Sequence, residues 1–559
     1  FPSVCLTSGG CLAAARQAEA LAAGGGADVA LEAQIQRVLA DLNLVQRLEE
    51  IRLERVVEME GKGGGAWADD TYATAFRDAG VDVDQLTEEE VVKRLGARTQ
   101  TAAALAAALD DWALRRHANR NAAGADSLRA VALAIDAHPW RQQVRQAIAQ
   151  KDGKTLERLA ASPDFLSQPP ATLFLLGRAL CFLRLSDQGI ATLRRAQRLH
   201  AGDFWINLEL GRRLAVMGPA HQDDALAFYR TAAALRPHSA AVWARIGDAL
   251  EAKGRLDEAS ACLALAIDLS PKYATAHNVL GVVLARQGKL DEAVACYAKA
   301  IELFPSYVNA HLNLGLALRR QNNLDQAIAS YWKVLELSPK HAQATQNLAN
   351  AIRAQKNRDL IIAFFTKASE ANPQNASAHY FLGLALWHQG TLDESLGLFK
   401  RASELEPNEA RHHFSLANNL RALKKLDEAI IAYEKCIELK GSTADYHGQF
   451  AVALELKGRR ADAISSWQKS LEIDAKYVRA HTALAWHFAT TPDPKLRDPQ
   501  AALAHARQAV ELQPHTRDHW SNLGVALWRT GESQACFRKC LAAQGENARW
   551  NRAKSSRSM

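Results

Sequence analysis

Long apolar runs, closely paired cysteines and a strong charge surplus are all missing from this sequence of 559 residues. No stretch approaches the roughly 18 consecutive apolar residues of a transmembrane helix, so the sequence predicts no membrane span. The formal net charge is only +7 over the whole chain, so we expect no nucleic-acid partner. With 48% hydrophobic and 23% charged residues, the composition is typical of a chain that forms a core, which excludes wholesale disorder.

Cysteine usage points away from disulfides and metal sites. The eight cysteines are scattered and none forms a Cys-x-x-Cys pair. Cys536 and Cys540 are spaced to share one helix face, yet they lack the further ligands that zinc requires. Four others lie within helical patterns: Cys181, Cys262, Cys296 and Cys436. This usage predicts a reducing, cytoplasmic location and no cofactor.

A period of 34 residues runs through the middle of the chain. Prolines recur with this spacing at Pro237, Pro271, Pro305, Pro339, Pro373 and Pro407. A small residue recurs with the same spacing at Gly247, Gly281, Gly315, Ala349, Gly383, Ala417, Ala451 and Ala485. A bulky residue follows the small one at Leu263, Tyr297, Tyr331, Phe365, Phe399, Tyr433 and Trp467. Such regularity is the signature of a repeat architecture.

These residues resemble tetratricopeptide repeats, whose 34-residue unit is a helix–turn–helix with a small residue facing a large one. The resemblance implies an all-α fold, a right-handed α-solenoid of about eleven units that follows a helical connector. The small side chain on the first helix of a unit lets the second helix approach, and the bulky side chain fills the remaining gap. The proline ends the second helix and sets the entry to the next unit.

We predict four regions along the chain. Residues 1–66 are a helical linker, partly disordered, and residues 67–169 are a helical connector. Residues 170–545 are the repeat array and residues 546–559 a basic disordered tail. Within the array, the three prolines of residues 490–499 predict a surface loop, and the last second helix, residues 536–543, matches the repeat poorly.

Before the array, the sequence is helical but out of register with the repeats. Helical patterns cover residues 46–58, 98–116, 126–137 and 140–159, and glycines at 61–65 predict a break. Thr87 and Glu90 form a capping box ahead of an apolar run. We therefore expect a connector built of helices rather than further repeats.

The order of motifs carries a second resemblance. It rests on residues 48–53, 72–76, 80–82, 108–112, 139–141 and 202–207, together with the insertion at 492–499. This order is similar to the C-terminal region of planctomycete-type bacterial serine/threonine protein kinases, where a kinase domain precedes a helical connector and a tetratricopeptide array. The resemblance implies that the chain is the regulatory or docking portion of such a kinase.

The catalytic groups of a kinase are missing from this sequence. It has no glycine-rich phosphate loop after a strand, no His-Arg-Asp loop and no Asp-Phe-Gly, so nothing would hold Mg²⁺ or position a hydroxyl. We predict that the chain is not an enzyme. Because it begins at Phe1 without a secretion signal, we expect it to be a fragment, with any kinase domain upstream.

Histidine recurs at one position of the repeat: His277, His311, His379, His413, His447 and His481. A metal array is one interpretation, but successive members lie 34 or more residues apart on different units, too far for shared coordination. The family usually places tryptophan at this position, as this sequence does at Trp243 and Trp520. The pattern therefore favours a packing role.

The resemblance also implies where a partner would bind. In tetratricopeptide superhelices the first helices line the concave surface, and their exposed residues lie at −6, −3, +1 and +4 from the small position. From these offsets we predict a peptide-binding groove at Arg319, Asn350, Arg353, Tyr380, Trp387, Phe414, Asn418, Arg421, Trp486 and Trp528. Aromatic rings would bury side chains of an extended peptide and amides would bond its backbone, while arginines favour acidic segments. The alternative is that some of these residues pack between units.

Two functional hypotheses follow. The first is a non-catalytic scaffold that binds peptide segments of partner proteins in the groove. The second is the regulatory or docking portion of a serine/threonine kinase. The partner's identity and self-association are left open by the sequence.

Overall fold

The computed structural model describes residues 9–23, 29–58, 65–118 and 121–531. Over these ranges the chain forms 29 α-helices and three short 3-10 turns, and no β-strand. The predicted all-α fold is therefore confirmed. The chain divides into two compact units, Phe1–Ala344 and Thr345–Met559. Several predictions fall outside the described residues: the helix at 536–543, the tail at 546–559, most of the glycine break at 61–65, and the spacing of Cys536 and Cys540.

Eight helices precede the repeats. Their bounds are α1 Gly9–Ala23, α2 Val29–Glu58, α3 Gly65–Asp78, α4 Glu88–Gly96, α5 Ala102–Ala118, α6 Ala122–Ile135, α7 Pro139–Gln150 and α8 Gly153–Ala161. The helix predicted over residues 46–58 is the end of α2, because the sequence from Val29 onward contains no glycine or proline to stop it. The segment at 140–159 is two helices, since Lys151 adopts a left-handed φ of 56° and Asp152 caps α8. The Thr87 cap is confirmed, because its hydroxyl accepts the Glu90 N–H at 3.4 Å.

The helices before the repeats have a core of their own around Trp112. This fully buried indole stacks on Tyr72 and Phe76, with ring centroids 5.8 and 5.5 Å apart. Leu48 and Ile51 bring the inner face of α2 into the same core. The outer face of α2 reaches the first repeats, where the Arg52 guanidinium lies 3.8 Å from the Trp205 ring centroid. Helix α2 thus joins the connector to the array.

From Pro170 onward the helices come in antiparallel pairs. Their bounds are α9 Pro170–Phe182, α10 Ser186–Leu199, α11 Phe204–Val216, α12 Gln222–Leu235, α13 Ala240–Ala252, α14 Leu256–Leu269, α15 Ala274–Arg286, α16 Leu290–Leu303, α17 Val308–Arg320, α18 Leu324–Leu337, α19 Ala342–Ala354, α20 Arg358–Ala371, α21 Ala376–Gln389, α22 Leu392–Leu405, α23 Ala410–Ala422, α24 Leu426–Lys440, α25 Ala444–Leu456, α26 Arg460–Ile473, α27 Val478–Thr490, α28 Pro499–Leu512 and α29 Arg517–Arg529. Ten pairs end at α28, and α29 starts another whose second helix lies outside the described residues. The prediction of about eleven units is in line with this count.

In the pairs that have glycine at the small position, this residue touches the bulky one, as predicted. A methyl group added at Gly315 would lie 2.5 Å from the Tyr331 ring, and one added at Gly281 would lie 2.6 Å from Tyr297. Distances this short mean that the second helix rests directly on the backbone of the first. The repeat spacing therefore follows from a packing contact that needs no side chain at the small position.

The recurring histidines bond the turns between repeats. Each ring Nε2 lies 2.9 or 3.0 Å from the carbonyl oxygen six residues earlier in the chain: this holds for His277, His311, His379, His413, His447 and His481. Trp243 and Trp520 make the same contact through their indole N–H at 2.7 Å. Because a carbonyl only accepts, Nε2 carries the proton. The position thus serves packing, in agreement with the interpretation favoured by the sequence.

The thiols within the repeats are embedded in the packed helices. Cys181 and Cys436 are buried, Cys262 and Cys296 are half-buried, and none of the four is in a disulfide. Burial raises the pKa of all four, to about 12 for Cys436. Over the described ranges, no three histidine, cysteine or acidic side chains come together as metal ligands. None of the described helices is both long and apolar enough to cross a bilayer.

Candidate functional site

The first helices of the unit Thr345–Met559 enclose a cleft of about 470 Å³. We call it the aromatic cleft, and it is lined by Thr345, Gln346, Ala349, Arg353, Tyr380, Leu384, Trp387, His388, Phe399, Arg411, Phe414, Ser415, Asn418, Thr443, Asp445 and Tyr446. All except Phe399 come from α19, α21, α23 and the start of α25. The cleft therefore lies along consecutive first helices, where the repeat pattern predicts a groove.

Four of the aromatic rings that line the aromatic cleft come from its first helices, and they differ in how exposed they are. Tyr380 is only 8% exposed and packs edge-on to Phe381 at 5.0 Å. Phe414 is half-buried and lies 4.6 Å from the Tyr446 ring. Burial raises the pKa of Tyr446 to about 12, so its hydroxyl stays neutral. Trp387 is half-buried. The rings are held by neighbouring repeats, which leaves them little freedom to lose on binding a ligand.

The charged groups of the aromatic cleft are mainly basic. Arg353 is exposed, while Arg411 is half-buried and lies 3.3 Å from the Glu409 carboxylate. Burial, followed by the charges of Arg358 and Arg353, lowers the pKa of His388, so this imidazole is neutral at pH 7. Arg353 is consequently the cation with most freedom to contact an acidic group on a ligand.

A hydrogen-bonded chain runs along the edge of the aromatic cleft. The Tyr433 hydroxyl donates to Asn418 at 2.6 Å and accepts from Arg421 Nε at 3.2 Å. A second nitrogen of Arg421 donates to Gln449 at 3.3 Å. Arg421 is therefore already engaged within the protein, and Asn418 still has its amide N–H groups to offer.

The same unit has a second cleft, of about 500 Å³, which we call the C-terminal cleft. It is lined by Val452, Glu455, Trp467, Val478, Arg479, Thr482, Ala483, Trp486, His487, Gln513, Thr516, Asp518, His519 and Asn522. Glu455 Oε1 accepts hydrogen bonds from Trp467 Nε1 and His487 Nε2, both at 2.6 Å. Burial alone would raise the pKa of Glu455, but the bonds from His487 and Trp467 outweigh it and lower that pKa, so the carboxylate is ionised at neutral pH.

The structure places the ten predicted groove residues in several locations. Five line the aromatic cleft: Arg353, Tyr380, Trp387, Phe414 and Asn418. Trp486 lines the C-terminal cleft and is 49% exposed. Arg421 adjoins the aromatic cleft, and Asn350 accepts a bond from Gln346 at 3.3 Å. Trp528 is 69% exposed with Arg529 over its ring, and Arg319 is exposed in the unit Phe1–Ala344. The role of all ten in binding stays a prediction.

Several lining residues are absent from that prediction. Asp445 and Glu455 stand at offsets −6 and +4 from Ala451, and Asp518 stands at −6 from Gly524. The repeat offsets could therefore have identified these three residues. Tyr446 matches none of the four offsets, and Trp467 lies on a second helix. For those two, only the packing of the helices brings the side chain to a cleft.

Comparison with known proteins agrees with the repeat architecture. A tetratricopeptide-repeat family model matches residues 221–274, 245–308, 278–342, 312–360, 362–407 and 495–550. A second tetratricopeptide-repeat model matches residues 410–443. No curated protein matches the chain.

Several solved structures are also similar to parts of the chain. MamA is 26% identical, covering 30% of this chain and 96% of its own, with a TM-score of 0.27. The thermophilic TPR protein TTC0263 of Thermus thermophilus is 25% identical, covering 33% and 99%, with a TM-score of 0.29. The first TPR of Spaghetti (RPAP3), bound to an HSP90 peptide, is 28% identical, covering 21% and 91%, with a TM-score of 0.20. Scores this low carry no conclusion about what this chain binds.

The 34-residue period, the paired helices and the family models all point to the same repeat. The matched residues lie between 221 and 443 and again between 495 and 550, and the described part of this range is made of helix pairs. The chain therefore contains tetratricopeptide repeats.

Proposed function

We propose that the chain is a non-catalytic scaffold that binds extended segments of partner proteins, with the aromatic cleft as the main point of contact. The observation that carries this proposal is the convergence of Trp387, Phe414, Arg353 and Asn418 on one open cavity of about 470 Å³. A cavity of this size takes a few side chains at once. The repeats supply rings, a cation and an amide to the same ligand.

The chemistry of the aromatic cleft suits an extended peptide better than a rigid small molecule. Rings from successive repeats bury alternate side chains, and the amide N–H groups of Asn418 match backbone carbonyls. The exposed Arg353 favours an aspartate or glutamate in the bound segment. We therefore propose a partner segment with an acidic residue beside one or two bulky apolar residues.

A peptide-display selection on the 559-residue chain tests this function. We expect peptides to be enriched on the parent protein, and the Trp387→Ala/Phe414→Ala variant to bind them at least about tenfold more weakly, because buried aromatic anchors dominate such interfaces. The matched control is Ile431→Ala/Leu456→Ala, which removes two exposed apolar side chains that line neither cleft. Circular dichroism checks that helicity is unchanged. Equal binding by both variants would contradict the aromatic cleft as the site.

The absence of enzymatic activity belongs to the same proposal. The family models that match are those of a helical repeat, and no model of a catalytic family matches. The side chains that line the two clefts can bind and orient a peptide. None of them pairs a nucleophile with a base in the manner of an acyl- or phosphoryl-transfer site. A cytoplasmic location rests on the scattered, unpaired cysteines and stays part of the proposal.

The second candidate is the regulatory or docking portion of a bacterial serine/threonine kinase. It is favoured by the order of sequence motifs before and within the repeats, and by the separate helical core around Trp112 that precedes them. The reading frame upstream of Phe1 tests it. A glycine-rich loop, a His-Arg-Asp loop and Asp-Phe-Gly encoded there would support this role, and an upstream sequence without them would exclude it.

A further inference from the structure

We infer that the C-terminal cleft is a subsite for a lysine or arginine side chain of the bound segment. The inference rests on the proposed function, because it assigns a second contact to the same partner peptide. It adds a requirement that the aromatic cleft does not impose: the segment is acidic and apolar at one end and basic at the other. The groups that carry it are Glu455, Trp486 and Asp518.

Glu455 is a carboxylate prepared for a ligand. The indole N–H of Trp467 and the imidazole of His487 both bond to Oε1 at 2.6 Å, which fixes the orientation of the group. Trp467 is only 3% exposed, so this contact cannot easily rearrange. No described residue donates to Oε2, and the Glu455 side chain is 28% exposed. A carboxylate that is held on one side and open on the other suits a cationic partner.

Trp486 and Asp518 complete the subsite. The Trp486 ring is 49% exposed although it lies within a cleft, so one surface of the indole is open to a ligand. Asp518 is exposed in the first turn of α29. An indole face next to carboxylates is the arrangement that attracts ammonium and guanidinium groups.

The remaining charges do not cancel this attraction. Arg479 lines the C-terminal cleft and Asp445 lines the aromatic cleft, but the two face each other at 4.0 Å. This pair offsets its own charges at the boundary between the clefts. What remains is basic in the aromatic cleft, from Arg353 and Arg411, and acidic in the C-terminal cleft, from Glu455 and Asp518. The groove is therefore polarised along its length.

The repeat geometry sets the spacing that a peptide must have. Phe414 on α23 lines the aromatic cleft, and Trp486 on α27, two units further along the chain, lines the C-terminal cleft. Packed helices lie roughly 10 Å apart, so a separation of two units corresponds to roughly 20 Å. An extended chain covers that distance in about six residues. We therefore expect the basic residue about six positions from the bulky apolar residue that packs on Phe414.

The test is a selection of random 16-residue peptides on the 559-residue chain and on two charge variants. Asp518→Lys reverses the charge in the subsite. Asp393→Lys is the matched control, because Asp393 is also exposed in the first turn of a helix and lines neither cleft. Peptides selected on the parent are then measured on all three proteins by fluorescence anisotropy. Replacing the peptide's basic residue by alanine completes a double-mutant cycle.

We expect lysine and arginine to be enriched about six positions from a bulky apolar residue on the parent and on Asp393→Lys, and not on Asp518→Lys. We expect a selected peptide to bind Asp518→Lys about five- to tenfold more weakly, and its alanine version to lose nothing further there. Bound peptides without basic enrichment, or equal losses on both variants, would overturn the subsite while leaving the proposed function intact. If no peptide is selected on the parent, the proposed function fails and the subsite with it.

Discussion

Gly315 packs closely against Tyr331, so adding a single methyl group tests whether the repeat requires a small residue at this position. A Cβ at Gly315 would lie 2.5 Å from one ring carbon of Tyr331 and 2.8 Å from the next. The ring is fully buried, and its hydroxyl is buried as well. Tyr331 therefore has little room to withdraw, and the Gly315→Ala substitution must push α18 away from α17.

The expected magnitude follows from two opposing effects. Alanine stabilises a helix interior by about 1 kcal/mol relative to glycine, whereas overpacking a core by one methyl group costs about 1–3 kcal/mol. Gly397 measures the helix effect without the overpacking. It lies inside α22, is exposed, and has no atom within 4 Å of an added Cβ. Gly397→Ala should therefore stabilise its helix by about 1 kcal/mol. Gly315→Ala should fall below it by about 1–3 kcal/mol, since the helix effect is the same in both.

Hydrogen exchange measured by mass spectrometry is the suitable assay, because repeat arrays open locally and a single unfolding midpoint has no simple meaning. Opening free energies are compared for α17 and α18 in one variant and for α22 in the other. Ala417 stands at the same repeat position and shares a core with Tyr433, so we expect a weakened unit rather than an unfolded one. An equal gain of protection in both variants would refute the packing argument. Restoring room with Gly315→Ala/Tyr331→Leu should recover part of the loss.

Two further predictions concern a buried imidazole and a stacked guanidinium. Burial holds the pKa of His412 at about 3, below its ordinary value of 6.5, so the unfolded chain takes up a proton that the folded chain refuses. The neutral imidazole therefore makes its full contribution to stability above about pH 6.5, and this contribution falls by about 2 kcal/mol at pH 5. The His412→Leu variant should flatten this pH dependence of exchange protection in α23 and α24. An unchanged slope would contradict the prediction. Arg52 lies 3.8 and 4.7 Å from the centroids of Trp205 and Phe174, so Arg52→Ala should reduce protection of α2 and α11 by about 1–2 kcal/mol. The control Arg47→Ala, which removes an exposed ion pair with Glu50 on the same helix, should cost less than about 0.5 kcal/mol, and equal losses would refute the stacking argument.

The recurring histidines show how far a sequence pattern can be taken. Their spacing excluded shared metal coordination and favoured packing, and each ring does bond the carbonyl oxygen six residues earlier. The partner lies within the same turn of chain, so the contact repeats wherever the local sequence repeats. The repeat pattern did not predict the environment of His412, which follows the same turn. Its side chain is fully buried, and neither ring nitrogen has a hydrogen-bond partner.

The groove residues mark the limit of the same reasoning. The four offsets identified first-helix positions, and five of the ten predicted residues do line one cleft. Equal offsets nevertheless gave unequal exposure: Tyr380 and Phe414 both stand three residues before the small position, yet Tyr380 is 8% exposed and Phe414 is only half-buried. Arg421 satisfies its offset yet is bonded to Tyr433 and Gln449, which belong to later helices. Whether a groove residue is available to a partner depends on the repeats that follow it.

The sequence by itself determined the repeat, the pairing of helices and the place of the small and large residues. These follow from contacts between helices that are neighbours along the chain, so a 34-residue period is enough to encode them. Only the tertiary structure decided which side chains remain open, how Glu455 is held by Trp467 and His487, and how the charges separate between the two clefts. Those features join residues from different helices, and their exposure and ionisation depend on the burial that packing creates.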